Sequence, residues 1–251
     1  MEARLALDAA ITRLKEEAQG GMGPSPRPSD AASLIVLDRS GPAPRVLMGK
    51  RNPNMRFMPN VFVFPGGRSE PGDTRVPVAR ELEAQSAALL LVQTPRGTVQ
   101  RARRLALAAI RETFEETGLI IGHKAQNAPA LPAPWDAFTK TGHVPDLAGL
   151  IYLSRAITPP RRPRRFDTRF FVVDAGAITH RIDPGLTAES ELTELLWLTL
   201  DEAFSQPIHP ITRVILADLA QSLAAGGPGH GRPVPFYREK NRQFTREIIA
   251  L

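Results

Sequence analysis

The sequence contains no cysteine, and this absence excludes disulfide bonds and thiolate metal sites from the 251-residue chain. A chain without cysteine fits a reducing compartment, and we expect to find it in the cytoplasm. The sequence also lacks an apolar run long enough to cross a membrane, because the run 89–92 is far too short. Its histidines show none of the paired spacings that are typical of zinc sites. We therefore expect neither a membrane span nor a zinc centre.

Lysine is scarce as well, so the formal net charge of +6 comes mostly from arginine. Guanidinium groups match phosphate oxygens in bidentate fashion, and an arginine surplus therefore suits a phosphate-rich ligand. It also suits nucleic acid, and a compositional bias of the source genome would explain the surplus equally well. The basic segments carry few interleaved aromatic residues and match no nucleic-acid-binding module, so we do not expect nucleic acid as a partner.

The chain divides into three parts by composition. Residues 1–30 combine an amphipathic helix over 1–19 with a Gly/Pro linker, 31–225 form the main domain, and 226–251 form a C-terminal arm. The four acidic residues of the first helix argue against a targeting peptide. Helices are also expected over 78–92, 99–117 and 208–224, and strands over 32–38, 45–50, 61–64, 149–154, 166–174 and 195–198. This mixture predicts a layered α/β domain.

Three glutamates stand at helical spacing in the predicted helix 99–117. Glu112, Glu115 and Glu116 are placed at i, i+3 and i+4, so their carboxylates share one face of a helix. Carboxylates brought together in this way suit a hard divalent cation, because like charges repel unless a cation or a basic partner neutralises them. A solvated acidic face is the alternative for such a pattern.

The segments around these glutamates resemble the Nudix box, the signature of enzymes that hydrolyse nucleoside diphosphates linked to another moiety. A Phe-Pro-Gly-Gly segment ends at Gly67, Asp73 takes the first acidic position, and Arg111 opens the second half, which continues through the glutamates to Gly118. The match departs from the signature in having Asp73 instead of Glu and Thr113 instead of an apolar residue. Residues 74–110 separate the two halves, where the family has a short connection, and the inserted part is about 74–103.

The resemblance implies a fold, a reaction and a metal. The implied fold is a Nudix-type α/β/α sandwich with a mixed β-sheet and a helical insertion inside the Nudix box. The implied reaction is hydrolysis of a pyrophosphate bond with Mg²⁺ or Mn²⁺, and glycine at position 66 lets the backbone turn sharply and offer a carbonyl oxygen to the metal. The residues carried over are Glu112, Glu115, Glu116 and Gly66 as metal ligands and the same glutamates with Arg111 as catalytic residues. Arg111 is expected to pair with a carboxylate of the box.

Upstream of the box, the sequence is similar to the pattern of coenzyme A diphosphatases. Arg51 and Arg56 fall in register with that pattern, whereas Asn52, Asn60 and Phe62 depart from it. Together with the split box, this similarity implies coenzyme A or acyl-CoA as the substrate. Arg169 is a further candidate for a substrate contact, with a structural role left open.

Several alternatives remain at this stage. The substrate is expected to be a small nucleotide-type molecule, and NADH or ADP-ribose is the alternative to a coenzyme A compound. A non-catalytic Nudix domain that binds a nucleotide or RNA is a second alternative, which the intact glutamate triad disfavours. A homodimer is left open. The catalytic base is expected to come from outside the box, and the candidates are Glu189, Glu191 and Glu194.

Overall fold

The structure is a computed structural model, and it describes residues 2–19, 25–55, 58–126 and 130–251. The helices are α1 (Glu2–Gln19), α2 (Ala84–Leu91), α3 (Val99–Thr117), α4 (Asp136–Thr139), α5 (Leu200–Ser205) and α6 (Pro210–Ala224). The strands are β1 (Ser29–Asp38), β2 (Arg45–Arg51), β3 (Phe62–Val63), β4 (Gly66–Arg68), β5 (Leu119–Lys124), β6 (His143–Pro145), β7 (Ile151–Ile157), β8 (Phe166–Asp174), β9 (Ile178–Arg181), β10 (Leu192–Thr199), β11 (Val234–Lys240) and β12 (Gln243–Ile249). Within these ranges, no helix is long and apolar enough to cross a membrane.

A mixed sheet forms the centre of the described fold. Its strands follow the order β10-β2-β1-β8-β7-β11-β12, with β3 paired to β2 and β4 paired to β1. The central strands β1 and β8 run parallel, whereas β2 and β4 are antiparallel to β1. A second, small sheet has the order β6-β5-β9. The sequence did not predict its three strands, which are short and carry little alternation of apolar and polar residues.

Helices cover both faces of the central sheet. Along β1, Leu34 and Val36 belong to the hydrophobic cluster that contains α2 and α3. The alternate residues Ile35 and Leu37 belong to the cluster that contains α1 and α6. Because successive side chains of a strand point to opposite faces, the apolar run 34–37 of β1 is buried against helices on both sides of the sheet. The α/β/α sandwich expected from the resemblance is therefore confirmed.

Helix α3 spans the range predicted from the sequence. Its N-terminus is capped by Thr98, whose Oγ1 accepts a hydrogen bond from the Arg101 N–H at 3.1 Å. Its C-terminus ends at Gly118, which has a φ of 70° in the left-handed region. An apolar stripe of this helix is buried, and its members are Leu105, Ala108, Ala109 and Phe114. This packing holds the helix firmly on the sheet and fixes the position of its last two turns.

The insertion contains less helix than the sequence predicted. The helix expected from residue 78 begins only at Ala84. The preceding backbone pairs with the segment after β6 instead, since the Ala79 N–H donates to the Pro145 carbonyl at 2.8 Å and the Leu147 N–H donates to the Arg80 carbonyl at 3.0 Å. These backbone groups are therefore unavailable to a helix that starts at residue 78.

The end of the insertion is anchored in the core. Leu89 and Leu90 of α2 are buried. Arg155 of β7 donates from Nη1 to the Gln93 carbonyl at 3.1 Å and to Thr94 Oγ1 at 3.2 Å. Polar groups that are buried are costly unless they are paired, so these bonds hold the insertion against the sheet.

The segment 226–251, predicted as a C-terminal arm, contains a β-hairpin that belongs to the central sheet. Strand β11 pairs in parallel with β7, and β12 pairs antiparallel with β11. The aromatic residues Phe236, Tyr237 and Phe244 are buried. The polar and charged residues that alternate with them led the sequence analysis to an arm, although this alternation is typical of an edge hairpin.

Asp218 of α6 is a buried carboxyl group that makes stability depend on pH. It accepts hydrogen bonds from the Tyr237 hydroxyl at 2.8 Å and from Ser154 Oγ at 2.9 Å. Burial raises its pKa from 3.8 to about 6 in spite of these bonds. Between these two values the folded state binds more protons than the unfolded state, so the stability contributed by Asp218 is lost as pH rises from about 4 to about 6.

We therefore expect Asp218→Asn to remove one component of the pH dependence. The free energy of unfolding of the wild type, measured by urea titration, should fall relative to that of the variant as pH rises from 4 to 6.5, by about 3 kcal/mol at most. Parallel curves for the two proteins across this range would contradict the assignment.

Candidate active site

The Gly-Gly segment lies beside β1 as the short strand β4. Gly66 pairs with Ser33, and the Pro65 carbonyl accepts hydrogen bonds from the Leu34 N–H and from Ser33 Oγ, both at 2.9 Å. A β-carbon at position 66 would lie 2.5 Å from the Ala32 carbonyl oxygen, closer than atoms can approach. Only glycine fits this position, because the backbone runs directly against β1.

Two of the predicted glutamates lie against the two glycines of β4. The Gly66 N–H donates to Glu116 Oε2 at 3.0 Å, across a sequence separation of 50 residues. A β-carbon on Gly67 would lie 2.5 Å from the carboxylate of Glu112. The Gly-Gly segment and the glutamate helix are therefore parts of one site, as the resemblance implied.

The space beside Gly67 gives a direct test of this arrangement. We expect Gly67→Ala to displace the Glu112 carboxylate and to lower the rate of hydrolysis about tenfold or more, because a small displacement of a functional group is costly to catalysis. Gly149→Ala is the control, since the nearest atom to a β-carbon there is a Val173 methyl group at an ordinary 3.5 Å. Equal turnover by both variants would contradict the close approach of Glu112 to Gly67.

Arg111 connects the parts of the site. Its side chain is buried and donates to Asp73 Oδ1 at 3.0 Å and to the Arg68 carbonyl at 2.8 Å. Its Nη1 donates to Glu112 Oε1 at 2.9 Å and to Glu115 Oε2 at 3.2 Å. The guanidinium thus pairs with carboxylates of the box, as the resemblance implied, and joins α3 to the strand and loop opposite it.

Asp73 is fully buried beneath the site. Its carboxylate accepts hydrogen bonds from Trp135 Nε1 at 2.8 Å and from the Glu70 N–H at 2.7 Å, in addition to those of Arg111. Trp135 lies outside the motifs of the sequence, so no sequence signal pointed to it. The shorter aspartate holds the loop and the arginine from within the protein, where it has no access to substrate.

The glutamates lie in surroundings that oppose their ionisation. Burial raises the pKa of Glu112 to about 7 and raises that of Glu115. Burial raises the pKa of Glu116 well above its ordinary value, and the charges of Glu191 and Glu112 raise it further. Carboxylates that repel one another in this way are stabilised by a nearby cation, which lowers their pKa values.

The glutamates do not converge on one point as the sequence predicted. Within the described parts of the chain, no group of three or more histidine or acidic side chains is arranged to hold a metal ion. Glu112 and Glu115 turn towards Arg111, and Glu116 turns towards Gly66. The donor types still fit Mg²⁺ or Mn²⁺, which prefer oxygen ligands, and the mutual repulsion of these buried carboxylates supplies a reason to bind a cation. The metal assignments therefore stay predictions.

One of the three candidate bases faces the cluster. Glu191 forms an ion pair with Arg51 in which Oε1 and Nη1 are 2.7 Å apart, and its charge acts on both Glu112 and Glu116. The sequence could not choose among Glu189, Glu191 and Glu194, because the choice depends on how the loop before β10 meets the end of β2.

Asn52 holds that loop in place. Its buried side chain donates from Nδ2 to the carbonyls of Ala188 at 2.6 Å and Ser190 at 2.9 Å. Its backbone N–H donates to the Glu191 carbonyl at 2.9 Å. In the sequence, Asn52 is only a departure from the coenzyme A pattern. In the structure, it positions the loop that carries Glu191.

The other predicted substrate contacts have different outcomes. Arg169 is fully buried, with ion pairs to Asp167 at 2.9 Å and Asp30 at 3.3 Å. It offers no surface to a ligand, so the prediction that Arg169 binds substrate is corrected to a structural role. Arg56 lies outside the described residues, and its predicted contact with substrate is untested. Arg51 lies beside the glutamate cluster, where a substrate contact remains a prediction.

The chain resembles known proteins of one superfamily. It is 28% identical over 193 residues to "Putative nudix hydrolase 7" of Caenorhabditis elegans, covering 70% of this chain and 54% of that protein. It is 27% identical over 250 residues to "Acyl-coenzyme A diphosphatase NUDT19" of Gallus gallus, covering 79% and 62% respectively. The chain thus spans less than two thirds of the length of either relative. No protein-family model matches it.

A solved structure agrees with these sequence relatives. The crystal structure of a NUDIX hydrolase from Alicyclobacillus acidocaldarius superposes with a TM-score of 0.55 at 25% identity, covering 79% of this chain and 92% of that one. The chain is therefore similar to Nudix hydrolases both in sequence and in fold.

Proposed function

We propose that the chain is a divalent-metal-dependent pyrophosphohydrolase that acts on coenzyme A or acyl-CoA. The observation that carries the proposal is the placement of Glu112 and Glu116 against the two glycines of β4, with Glu191 facing them. Binding alone does not require clustered, buried carboxylates, whose repulsion costs stability. A site built in this way is better explained by catalysis.

Mg²⁺ or Mn²⁺, when bound, would neutralise charge on the phosphate oxygens. The residues that would hold the cation are Glu112 and Glu116 with the carbonyl of Gly66, and Glu115 would join them or assist the base. Arg111 orients Glu112 and Glu115 from behind and ties them to the loop at Asp73. The protein therefore places the carboxylate oxygens of Glu112 and Glu116 against the backbone of β4.

Glu191 is the residue that we assign as the base. Its carboxylate would accept a proton from the attacking water, the water oxygen would form a bond to phosphorus, and the bridging P–O bond would break. The products from coenzyme A are 3′,5′-ADP and a phosphopantetheine portion. Arg51 holds the Glu191 carboxylate in place by an ion pair.

We therefore expect Glu191→Gln to lower kcat by about 10²-fold or more, within the range measured for general bases. Glu189→Gln is the matched control from the same loop and should retain wild-type turnover. If the two variants show the same kcat and the same pH profile, Glu191 is not the base.

The choice of substrate rests on similarity. The Gallus gallus relative is named as an acyl-coenzyme A diphosphatase, and Arg51 and Arg56 match the coenzyme A pattern. NADH and ADP-ribose are the alternatives within the same reaction class. A panel of these compounds with coenzyme A, acyl-CoA and capped RNA, incubated with Mg²⁺ or Mn²⁺ and resolved by chromatography, separates them. We expect the highest kcat/KM for a coenzyme A compound and no turnover in the presence of a chelator.

Three results would change the proposal. Preferential cleavage of NADH or ADP-ribose would overturn the assigned substrate and leave the reaction class in place. Absence of turnover for every compound with either metal would overturn the hydrolase. Binding of RNA without turnover, weakened by salt, would favour the non-catalytic alternative.

A further inference from the structure

A cavity lies on the face of the sheet opposite the glutamate helix α3. It has a volume of about 320 Å³ and lies between α1, α6 and the segment that precedes α6. Helices α1 and α6 belong to one hydrophobic cluster, and α3 belongs to the other. The cavity is therefore separated from Glu112 and Glu116 by the central sheet. Its lining residues are Ala9, Ala10, Arg13, Ile208, Pro210 and Arg213.

Two guanidinium groups line this cavity, and no carboxylate whose side chain is described pairs with either of them. Among the side chains that the structure describes, no acidic residue lines the cavity, and Arg13 and Arg213 form no ion pair. Glu16 lies three residues along α1 from Arg13, is exposed and forms no ion pair with it, and the side chain of Glu17 lies outside the described residues. Positions three and four residues from Arg213 on α6 carry no acid either. Two positive charges therefore share one concave surface.

This arrangement is electrostatically unfavourable when the cavity holds only solvent. Burial lowers the pKa of Arg213 from its ordinary value, and the charge of Arg13 lowers it further. The Arg213 guanidinium is oriented by the ring of Phe204, whose centroid lies 5.8 Å from Cζ. An anion between the two arginines would remove the repulsion and would accept their N–H groups.

We propose that the cavity between α1 and α6 binds a phosphate-bearing small molecule, with its phosphate group between Arg13 and Arg213. A phosphate dianion balances the two positive charges and offers three oxygens to two guanidinium forks, whereas a carboxylate balances only one charge. The cavity is at the lower end of the size range of small-molecule sites. Ala9, Ala10 and Ile208 provide an apolar wall for the organic part of the ligand.

The backbone next to the cavity is hydrogen-bonded to the strand that leads to the Gly-Gly segment. The Pro207 carbonyl, next to Ile208, accepts a hydrogen bond from the Phe62 N–H at 2.9 Å. Phe62 belongs to β3, and Gly66 follows it in the chain after three residues. A ligand in this cavity would thus connect α1 with the strand that leads to the Gly-Gly segment.

The test uses the full chain in a buffer that contains a chelator, so that phosphate binding does not depend on a cation at the glutamates. Inorganic phosphate and AMP are titrated by calorimetry and by thermal unfolding, with sodium chloride added to keep the ionic strength constant. The variants are Arg13→Gln, Arg213→Gln and Arg213→Lys. The control is Arg45→Gln, which removes an exposed arginine from the start of β2.

We expect phosphate to raise the Tm of the wild type and of Arg45→Gln. Arg13→Gln and Arg213→Gln should each weaken phosphate binding about tenfold or more, the loss expected for a charge-assisted hydrogen bond. Arg213→Lys should fall between the wild type and Arg213→Gln, because it keeps the charge and loses the fork. Tighter binding of AMP than of phosphate would show that the apolar wall contributes.

A structural role for the two arginines predicts a different result. Without ligand, Arg13→Gln and Arg213→Gln should have a Tm equal to or above that of the wild type, because each removes a repulsion. A lower Tm in the absence of phosphate, with unchanged phosphate affinity, would overturn the proposal. Failure of the wild type to bind either anion would also overturn it. These measurements involve no turnover, so they succeed or fail independently of the proposed hydrolase.

Discussion

Replacing Glu116 with glutamine is expected to abolish hydrolysis and to raise the Tm of the metal-free protein. The rate should fall by about 10³-fold, a loss typical of removing one charged or polar group from a preorganised site. The variant keeps the shape of the side chain, and its amide oxygen can still accept the hydrogen bond from the Gly66 N–H. The loss of activity would then report the loss of the negative charge.

The gain in stability follows from the buried position of Glu116. Burial, with the charges of Glu191 and Glu112, raises the pKa of Glu116 well above its ordinary 4.5. Above pH 4.5 the folded state therefore binds more protons than the unfolded state, and the wild type loses stability as pH rises towards the raised pKa. Glutamine does not titrate, so the advantage of Glu116→Gln should increase over this pH range.

The measurement is the Tm of both proteins in a chelator between pH 4.5 and 8, beside kcat with Mg²⁺. Glu83→Gln, at an exposed position before α2, is the control and should change neither quantity. A variant that loses activity and also loses stability would show that Glu116 serves the fold. Full activity of Glu116→Gln would remove it from the proposed metal ligands.

Replacing Arg111 with alanine is expected to produce the largest loss of stability. Asp73 is fully buried, and without the guanidinium it would keep only the hydrogen bonds of Trp135 and the Glu70 N–H. Removal of one partner of a buried ion pair costs about 3–5 kcal/mol, because it leaves an uncompensated charge in the interior. Activity should be lost as well, since Glu112 and Glu115 lose the group that orients them.

Urea unfolding followed by circular dichroism would measure this loss. Arg39→Ala is the matched control, because Arg39 donates from Nε and Nη2 to Asp174 Oδ2 at the surface, where both side chains are about half exposed. Exposed pairs contribute at most about 1 kcal/mol. A loss for Arg111→Ala no greater than that for Arg39→Ala would show that Asp73 is satisfied without it.

The sequence was sufficient to predict the helix that carries the glutamates. The predicted bounds of α3 agree with the structure, because its terminal glycine and the threonine that caps it act over a few residues. The same reasoning failed for the start of α2, where the backbone of Ala79 and Arg80 pairs with a distant segment. Tertiary contacts override the local helix propensity in such cases. The local sequence pattern does not predict these contacts.

The contents of the site were only partly predictable for the same reason. Motif spacing identified Glu112, Glu116 and Gly66 together, since a resemblance transfers positions between proteins. It could not distinguish Arg169, which lies buried between acidic residues, from an arginine at a surface. Nor could it show that Asn52 holds the loop of Glu191, because this contact spans 136 residues or more.

The insertion also has a consequence for the order in which this protein folds. It separates Asp73 from Arg111 by 38 positions in the sequence, and the loop that carries Glu191 is attached to Asn52 from a still greater distance along the chain. Contacts between residues far apart in sequence form slowly, because the entropy of closing long loops is lost before the contacts are gained. On the ribosome, α3 can form soon after it emerges. The catalytic arrangement must wait until β10 has been synthesised and has joined β2.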